Sequence, residues 1–244
     1  MIRIHPPYLI SILLVILTNV FFYFSPYFTE DLVSFDINNF ISHFFYFNDI
    51  LHLKWLNQVF WSLAIEFQFY IYISVFFKFI ETDKNLIWIF FLMFNILLSI
   101  IFPIHNYLTG HLPFFMIGIT LFRYMVNKES IATLIFYLIV ISSLLIYSYD
   151  IAFVIAGIFP ILCFFLFKKH SIIIDFFSKI SYSLYLIHAP ITQSLIKVGS
   201  YFCSNFYHEM ILISITFIIT IFCSYLFFKF VEKPFKNIAS KLSY

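Results

Sequence analysis

Charge is what this sequence has least of. Lys, Arg, Asp and Glu make up 11% of its 244 residues, against 63% hydrophobic residues. An average soluble domain carries about 25% charged and about 45–50% apolar residues. So few charges cannot build a surface to water, which excludes a soluble globular domain. The same arithmetic excludes a disordered chain and a coiled coil. Glycine is scarce too, at 4 residues, and no GxxxG face for close helix pairing occurs. Cysteine is limited to Cys163, Cys203 and Cys223, in or at the ends of apolar runs. With no CxxC pair and no His/Cys cluster at ligand spacing, neither a metal site nor a disulfide framework is expected. A net charge of +2 is too small to point to nucleic acid as a partner. No Walker loop, GxGxxG, GxSxG or HExxH motif is present.

What is there is a series of long apolar runs, rich in the 38 Phe residues, which need only face lipid or core. At ~20 residues per span, the length allows about eight transmembrane helices. The runs cover 8–25, 59–80, 86–102, 112–126, 131–149, 151–167, 181–202 and 209–230. The expected fold is therefore all-α, a polytopic helical bundle in contact with the lipid bilayer. Only Asp150 separates two of the runs, which predicts a tight helical hairpin. The basic residues orient the bundle. With Arg3 cytoplasmic, Lys54 and Lys197 alone among the 14 Lys and Arg fall towards the outer side, so both termini are expected to be cytoplasmic. Glu30, Asp31, Asp36, Asp49, Asp150 and Glu209 fall outside. The long outer loop 26–58 reads either as a substrate lid or as a solvated re-entrant connection. The basic start before the first run reads as an uncleaved first helix rather than a signal peptide.

Polar groups inside the runs are the functional candidates, because a carboxylate at the bilayer centre costs roughly 2.5–3.5 kcal/mol on insertion scales. Glu66 is the only acid in the interior of a run. Gln58, Ser62, Glu66 and Tyr70 recur every fourth residue, a slowly rotating polar stripe, with Trp61 and Gln68 nearby on other faces. Glu66 reads as a proton carrier or substrate contact, or else as a protonated acid bonded to a neighbouring helix. A second stripe, Ser181, Tyr185, His188 and Thr192, stays within about 60° on its helix. His188 lies two turns into its run, on the cytoplasmic side, followed by Pro190, which frees a backbone carbonyl. Imidazole titrates in the range that suits proton transfer near neutral pH. His105 and His111 flank Gly110 and read as interfacial anchors, and Lys168, Lys169 and His170 as orientation signals.

Four stretches resemble the membrane acyltransferase-3 family, the O-acetylases of O-antigen, exopolysaccharide and peptidoglycan. The run from Trp61 through Ser62 and Glu66 to Gln68 and Tyr70 resembles the family's W-S-L-x-x-E-x-Q-F-Y. The segment from Ser181 to His188 is similar to its S-Y-S-L-Y-L-x-H. Glu232-Lys-Pro-Phe235 is similar to its E-x-P-F/Y ending, and Arg3-Ile-His-Pro-Pro resembles half of its R-x-x-R entry motif. Phe67 stands where many members carry a second Glu. The resemblance covers essentially the whole chain and implies one membrane acyltransferase domain over residues 1–244. In the family, an Arg–His pair on the first helix is held to be catalytic. This chain starts after that point, so the resemblance implies an N-terminally shortened copy without the first two helices.

The implied reaction moves an acyl group, acetyl in the first instance, from acyl-coenzyme A to a hydroxyl of a cell-surface or lipid-linked glycan, at a bacterial inner membrane. No bound cofactor is expected; acyl-coenzyme A is the donor substrate. Glu66 and His188 are the expected catalytic groups, and Arg3 at the rim is placed to pair with a donor phosphate. Ser62, Trp61, Tyr70, Ser181 and Tyr185 are expected to line the cavity, with no metal. Two other readings compete: a catalytically inactive remnant or partner subunit of the same fold, and a transporter or flippase for a lipid-linked sugar. A transporter predicts related halves with broken helices. Pro113, Pro160 and Pro190 interrupt runs, but no repeat relates the halves.

Overall fold

A computed structural model describes residues 3–23, 37–166 and 171–242. Glu30, Asp31, Asp36, Lys168, Lys169 and His170 lie outside the described residues, as do the ends of the runs 8–25 and 151–167. Among the described residues all regular structure is helical, with no strand. The helices are α1 (His5–Tyr23), α2 (Ile37–Phe45), α3 (Phe60–Glu81), α4 (Asn85–Ile101), α5 (Leu108–Met125), α6 (Ile131–Ser148), α7 (Ile151–Leu166), α8 (Ile172–Ser200) and α9 (Phe206–Phe227). A π-helical stretch, Phe228–Glu232, leads from α9 into α10 (Lys233–Leu242). Every predicted run falls on a helix. Four are long and apolar enough to cross a membrane: α3, α6, α8 and the continuous stretch from Phe206 to Lys241. The apolar parts of α1, α4 and α7 are shorter.

Two boundaries differ from the sequence reading, for one reason. Apolar runs mark where lipid is met, and helices continue past them as long as backbone bonds can form. α8 begins at Ile172, well before Ser181, and its 29 residues span about 43 Å, against a hydrocarbon core of ~30 Å. His188 is therefore about 24 Å from the start of its helix, not two turns in. α5 starts at Leu108 rather than at residue 112. The α6–α7 hairpin turns at Tyr149 and Asp150, with the Tyr149 N–H bonded to the Leu145 carbonyl at 2.8 Å.

The chain divides into two compact units, Met1–Trp61 with His170–Tyr244, and Ser62–Lys169. In the second unit Trp88, Phe91, Leu112, Met116, Ile141 and Leu145 are buried together. Arg123 closes one end of this core and is itself fully buried. Its guanidinium donates to the Ile80 carbonyl at 2.6 Å, to the Thr82 carbonyl at 2.9 Å and to Glu129 at 2.8 Å. It also lies 4.4 Å above the Trp88 ring. The orphan carbonyls at the C-terminus of α3 thus find a cationic donor. The turn that supplies Arg123 ends α5 with Asn127 at φ 59°, and the Lys128 N–H reaches back to the Arg123 carbonyl at 2.9 Å. That is a Schellman-type stop with Asn in the left-handed position.

In the first unit α8 packs along α9 and against α1. The stretch 37–58 has more structure than its sequence suggests. α2 turns Asn39, Ser42 and His43 inward, while Ile37, Ile41, Phe44 and Phe45 face outward. This inverted pattern suits a helix lying against lipid, its polar side inside the protein. Fully buried His43 organises the loop. Its Nε2 accepts the Leu56 N–H at 3.0 Å, so Nδ1 carries the proton and donates to the Asn39 carbonyl at 2.8 Å. Asn48 donates to Asn39 Oδ1 at 3.0 Å. Tyr46 ends α2 at φ 59°, a conformation that bulky side chains avoid. Its ring stacks on Tyr8 at 4.7 Å, and the Tyr8 hydroxyl donates to the His43 carbonyl.

Candidate active site

α8 carries the polar stripe into the first unit, and three of its side chains reach other stretches of chain. The Tyr182 hydroxyl donates to the Ile4 carbonyl at 2.7 Å, next to Arg3. The Ser183 hydroxyl donates to Glu232 Oε2 at 2.6 Å, with both groups buried. The Tyr185 hydroxyl donates to the Val59 carbonyl, two residues before Trp61. Successive residues of a helix are rotated by about 100°, so the three bonds leave α8 in three directions. The segments beginning at Arg3, ending before Trp61 and containing Glu232 are brought to one short length of helix. These are the neighbourhoods of the four stretches that the sequence reading singled out.

His188 follows one turn after Tyr185, half-buried, their rings 6.2 Å apart. Its Nδ1 faces the carbonyls of Tyr185 at 2.9 Å and Leu184 at 3.1 Å. Carbonyls only accept, so Nδ1 bears a proton, and in the neutral imidazole Nε2 keeps its lone pair. An imidazole in this tautomer can take a proton from an approaching hydroxyl. Pro190 lacks an N–H, which leaves the buried Leu186 carbonyl without its i+4 donor. The Thr192 hydroxyl bonds the His188 carbonyl at 2.7 Å and fills the next position of the stripe. Ser181, at the other end of the stripe, is exposed and bonds only the Ser178 carbonyl of its own helix among the contacts seen, at 3.1 Å.

On α3 the spacing of four is realised as a contact: the Tyr70 hydroxyl donates to Glu66 Oε1. Glu66 is half-buried and Tyr70 exposed. Gln68 faces elsewhere, and its Oε1 accepts the Leu108 N–H at 2.9 Å, capping the start of α5. Ser62 is half-buried and Trp61 exposed on the first turn of the same helix. Glu66 belongs to the unit Ser62–Lys169 and His188 to the other. Arg3 is exposed, ahead of α1.

His105 and His111 are held by protein groups around the start of α5. His111 Nε2 bonds the His105 carbonyl at 2.7 Å and His105 Nδ1 meets the Tyr149 hydroxyl at 3.2 Å. Gly110 is required at this turn, because a Cβ there would stand 2.6 Å from the Ile104 carbonyl oxygen. Among the described residues no group of three or more His, Cys, Asp or Glu is placed to hold a metal ion, and Cys163, Cys203 and Cys223 are free thiols.

Sequence reasoning passed over Ser183 and Glu232 as site residues. The signal was available for Glu232, since a carboxylate just after an apolar run and before Lys233-Pro234 is unusual. What the sequence does not show is the π-helical turn that carries Glu232 to α8. Such turns are frequent at functional sites.

The model of the acyltransferase domain of the acyltransferase-3 family matches residues 1–229, through both compact units. No curated protein and no solved structure matches the chain. The chain belongs to the acyltransferase-3 family.

Proposed function

From that membership, we propose that this integral membrane protein is an O-acyltransferase. It moves an acyl group, acetyl in the first instance, from acyl-coenzyme A to a hydroxyl of a cell-surface or lipid-linked glycan. The reading places it in a bacterial inner membrane as one domain of about eight spans with both termini cytoplasmic. The observation that carries the reading is the family match, and the bonds from α8 to Ile4, Val59 and Glu232 support it.

In the reaction, the acceptor oxygen attacks the thioester carbonyl and its proton passes to His188 Nε2. The tetrahedral intermediate then expels the thiolate, which takes the proton back, leaving an ester and free coenzyme A. The tautomer of His188 supports the role of base. Glu66, with the Tyr70 hydroxyl on its carboxylate, is the second proton-handling group. A developing oxyanion needs donors, and the hydroxyls of Tyr70 and Tyr185 are the candidates along the two stripes. Arg3 is the proposed partner of a donor phosphate, and Trp61, Ser62 and Ser181 are further proposed substrate contacts.

The test is transfer of label from acetyl-coenzyme A to membrane glycan by the full chain in vesicles. His188→Ala is expected to lower the rate about 100-fold or more, the usual scale of general-base loss, and Glu66→Gln to lower it as well. Full transfer by both variants overturns the site assignment. Movement of lipid-linked sugar without consumption of donor overturns the enzyme in favour of a transporter.

A further inference from the structure

Within the unit Ser62–Lys169, α3 and α5 do not close on each other. A cavity of about 370 Å³ lies between them, lined by Phe69, Ile73, Phe77, Phe115, Gly118 and Phe122 among others. No polar side chain lines it. On α3 the lining residues Phe69, Ile73, Phe77 and Ile80 follow a spacing of four, four and three, one face of the helix. On α5 the gap is opened by Gly118, where a Cβ would have nothing within 4 Å. One end is shut by Phe69 and Phe115, stacked with ring centroids 3.8 Å apart. At the other end Phe77 and Phe122 are each 42% exposed, so the cavity opens there.

Next in sequence to Phe77 and Ile80, Lys78 and Glu81 on the last turns of α3 line a second, polar cavity of about 460 Å³ with Thr82, Asp83, Lys84 and Lys128. Lys128 is committed to Asp83 at 2.6 Å and to the Glu81 carbonyl. Its ammonium also holds the Asp83 carboxyl below the usual carboxylate range. Lys78 and Lys84 remain against the single carboxylate of Glu81, a surplus of positive charge at the mouth of an apolar cleft.

We propose that this cleft holds one tail of an anionic phospholipid of the bilayer, with its phosphate at Lys78 and Lys84. Three observations choose this occupant. α3 is a span-length apolar helix, so hydrocarbon is the medium that reaches Phe77 and Phe122. From Ile80 to Phe69 the cleft runs about 16 Å, about half of the ~30 Å hydrocarbon core and so the depth of one leaflet. The lysines stand where the head of a lipid in that leaflet lies, and basic side chains at a membrane surface attract anionic lipids. The cleft and its lysines share no residue with the groups proposed for acyl transfer.

The test is lipid retention. The full chain is purified in mild detergent and stripped of native lipid. It is then offered phosphatidylglycerol or phosphatidylcholine of the same tails, and bound lipid is counted by native mass spectrometry. The wild type is expected to retain one phosphatidylglycerol at least five-fold more than phosphatidylcholine. Gly118→Leu fills the cleft without a backbone clash and should lose retention at least five-fold with its unfolding midpoint kept. Lys78→Ala with Lys84→Ala should lose the headgroup preference while still binding lipid. Equal retention by wild type and Gly118→Leu overturns the proposal, as does the absence of a phosphatidylglycerol preference. Displacement of the lipid by micromolar palmitoyl-coenzyme A, with that thioester bound in its place, assigns the cleft to an acyl donor and overturns the lipid.

Discussion

The two compact units hold themselves together by different means. In Ser62–Lys169 an apolar core packs around Trp88, Phe91 and Ile141, the Tyr72 hydroxyl donates to the buried Asn95, and a buried ion pair closes one corner at Arg123. In the other unit the polar contacts run through the helical layer itself, from Tyr182, Ser183 and Tyr185 of α8 to three distant stretches. A polar group in the apolar layer is costly unless satisfied. The corner around Arg123 reads as scaffold, and the bonds of α8 read as supports of the proposed chemistry. Breaking the Arg123 corner should therefore cost stability, and breaking the bonds of α8 activity.

The largest effect is expected at Arg123. Arg123→Met keeps much of the stem but strands the buried Glu129 carboxylate and the Ile80 and Thr82 carbonyls. Breaking a buried ion pair by removing one partner costs about 3–5 kcal/mol. Thermal unfolding of the purified protein should show this loss, while the little folded protein that remains keeps its turnover. A smaller stability loss with a larger loss of turnover is expected at Ser183. Ser183→Ala removes a hydrogen bond to a charged acceptor, worth about 1.5–3 kcal/mol, and frees Glu232 from α8. If Ser183→Ala lowers stability alone and Arg123→Met lowers the turnover of folded protein, the contrast between the units is broken.

The mildest expectation concerns pH and the loop 37–58. Burial holds the His43 imidazole below its ordinary value of 6.5, against the hydrogen bond to Asn39, which pulls the other way. Above pH 6.5 the residue is neutral folded or unfolded and contributes no slope. As pH falls through 6.5 the unfolded chain gains a proton that the folded one resists, so stability falls. The unfolding midpoint should be level from pH 8 to 6.5 and decline towards pH 5, and His43→Gln should flatten that decline. A profile unchanged by the substitution would show that the His43 network does not hold this loop.

The apolar runs placed the helices because burial in lipid demands long uninterrupted hydrophobic stretches, and hydrogen bonding within each helix needs no partner strand. The tight turn at Asp150 and the i, i+4 contact of Glu66 with Tyr70 were legible for the same local reasons. Local patterns do not carry the rest. α2 was hidden because its polar residues face in and its apolar ones out, the reverse of the pattern that marks a soluble helix. The role of Arg123 was hidden because its partners, Ile80 and Thr82, are over 40 residues away in sequence, so it counted only as a basic residue near the membrane. The bond between Ser183 and Glu232 depends on a π-helical turn, and no periodicity announces one.

That turn and the three bonds of α8 bear on how such a chain tolerates change in length. Tyr182, Ser183 and Tyr185 work only in their present rotation. One residue inserted before them within the helix would swing all three by about 100° and disconnect α1, the entry to α3 and the C-terminal segment in a single step. Substitutions can wear this centre down gradually; a frame of helix gained or lost cannot. Insertions should be absorbed instead by the turns between helices, and α8 should behave as a ruler against which the rest of the unit is measured.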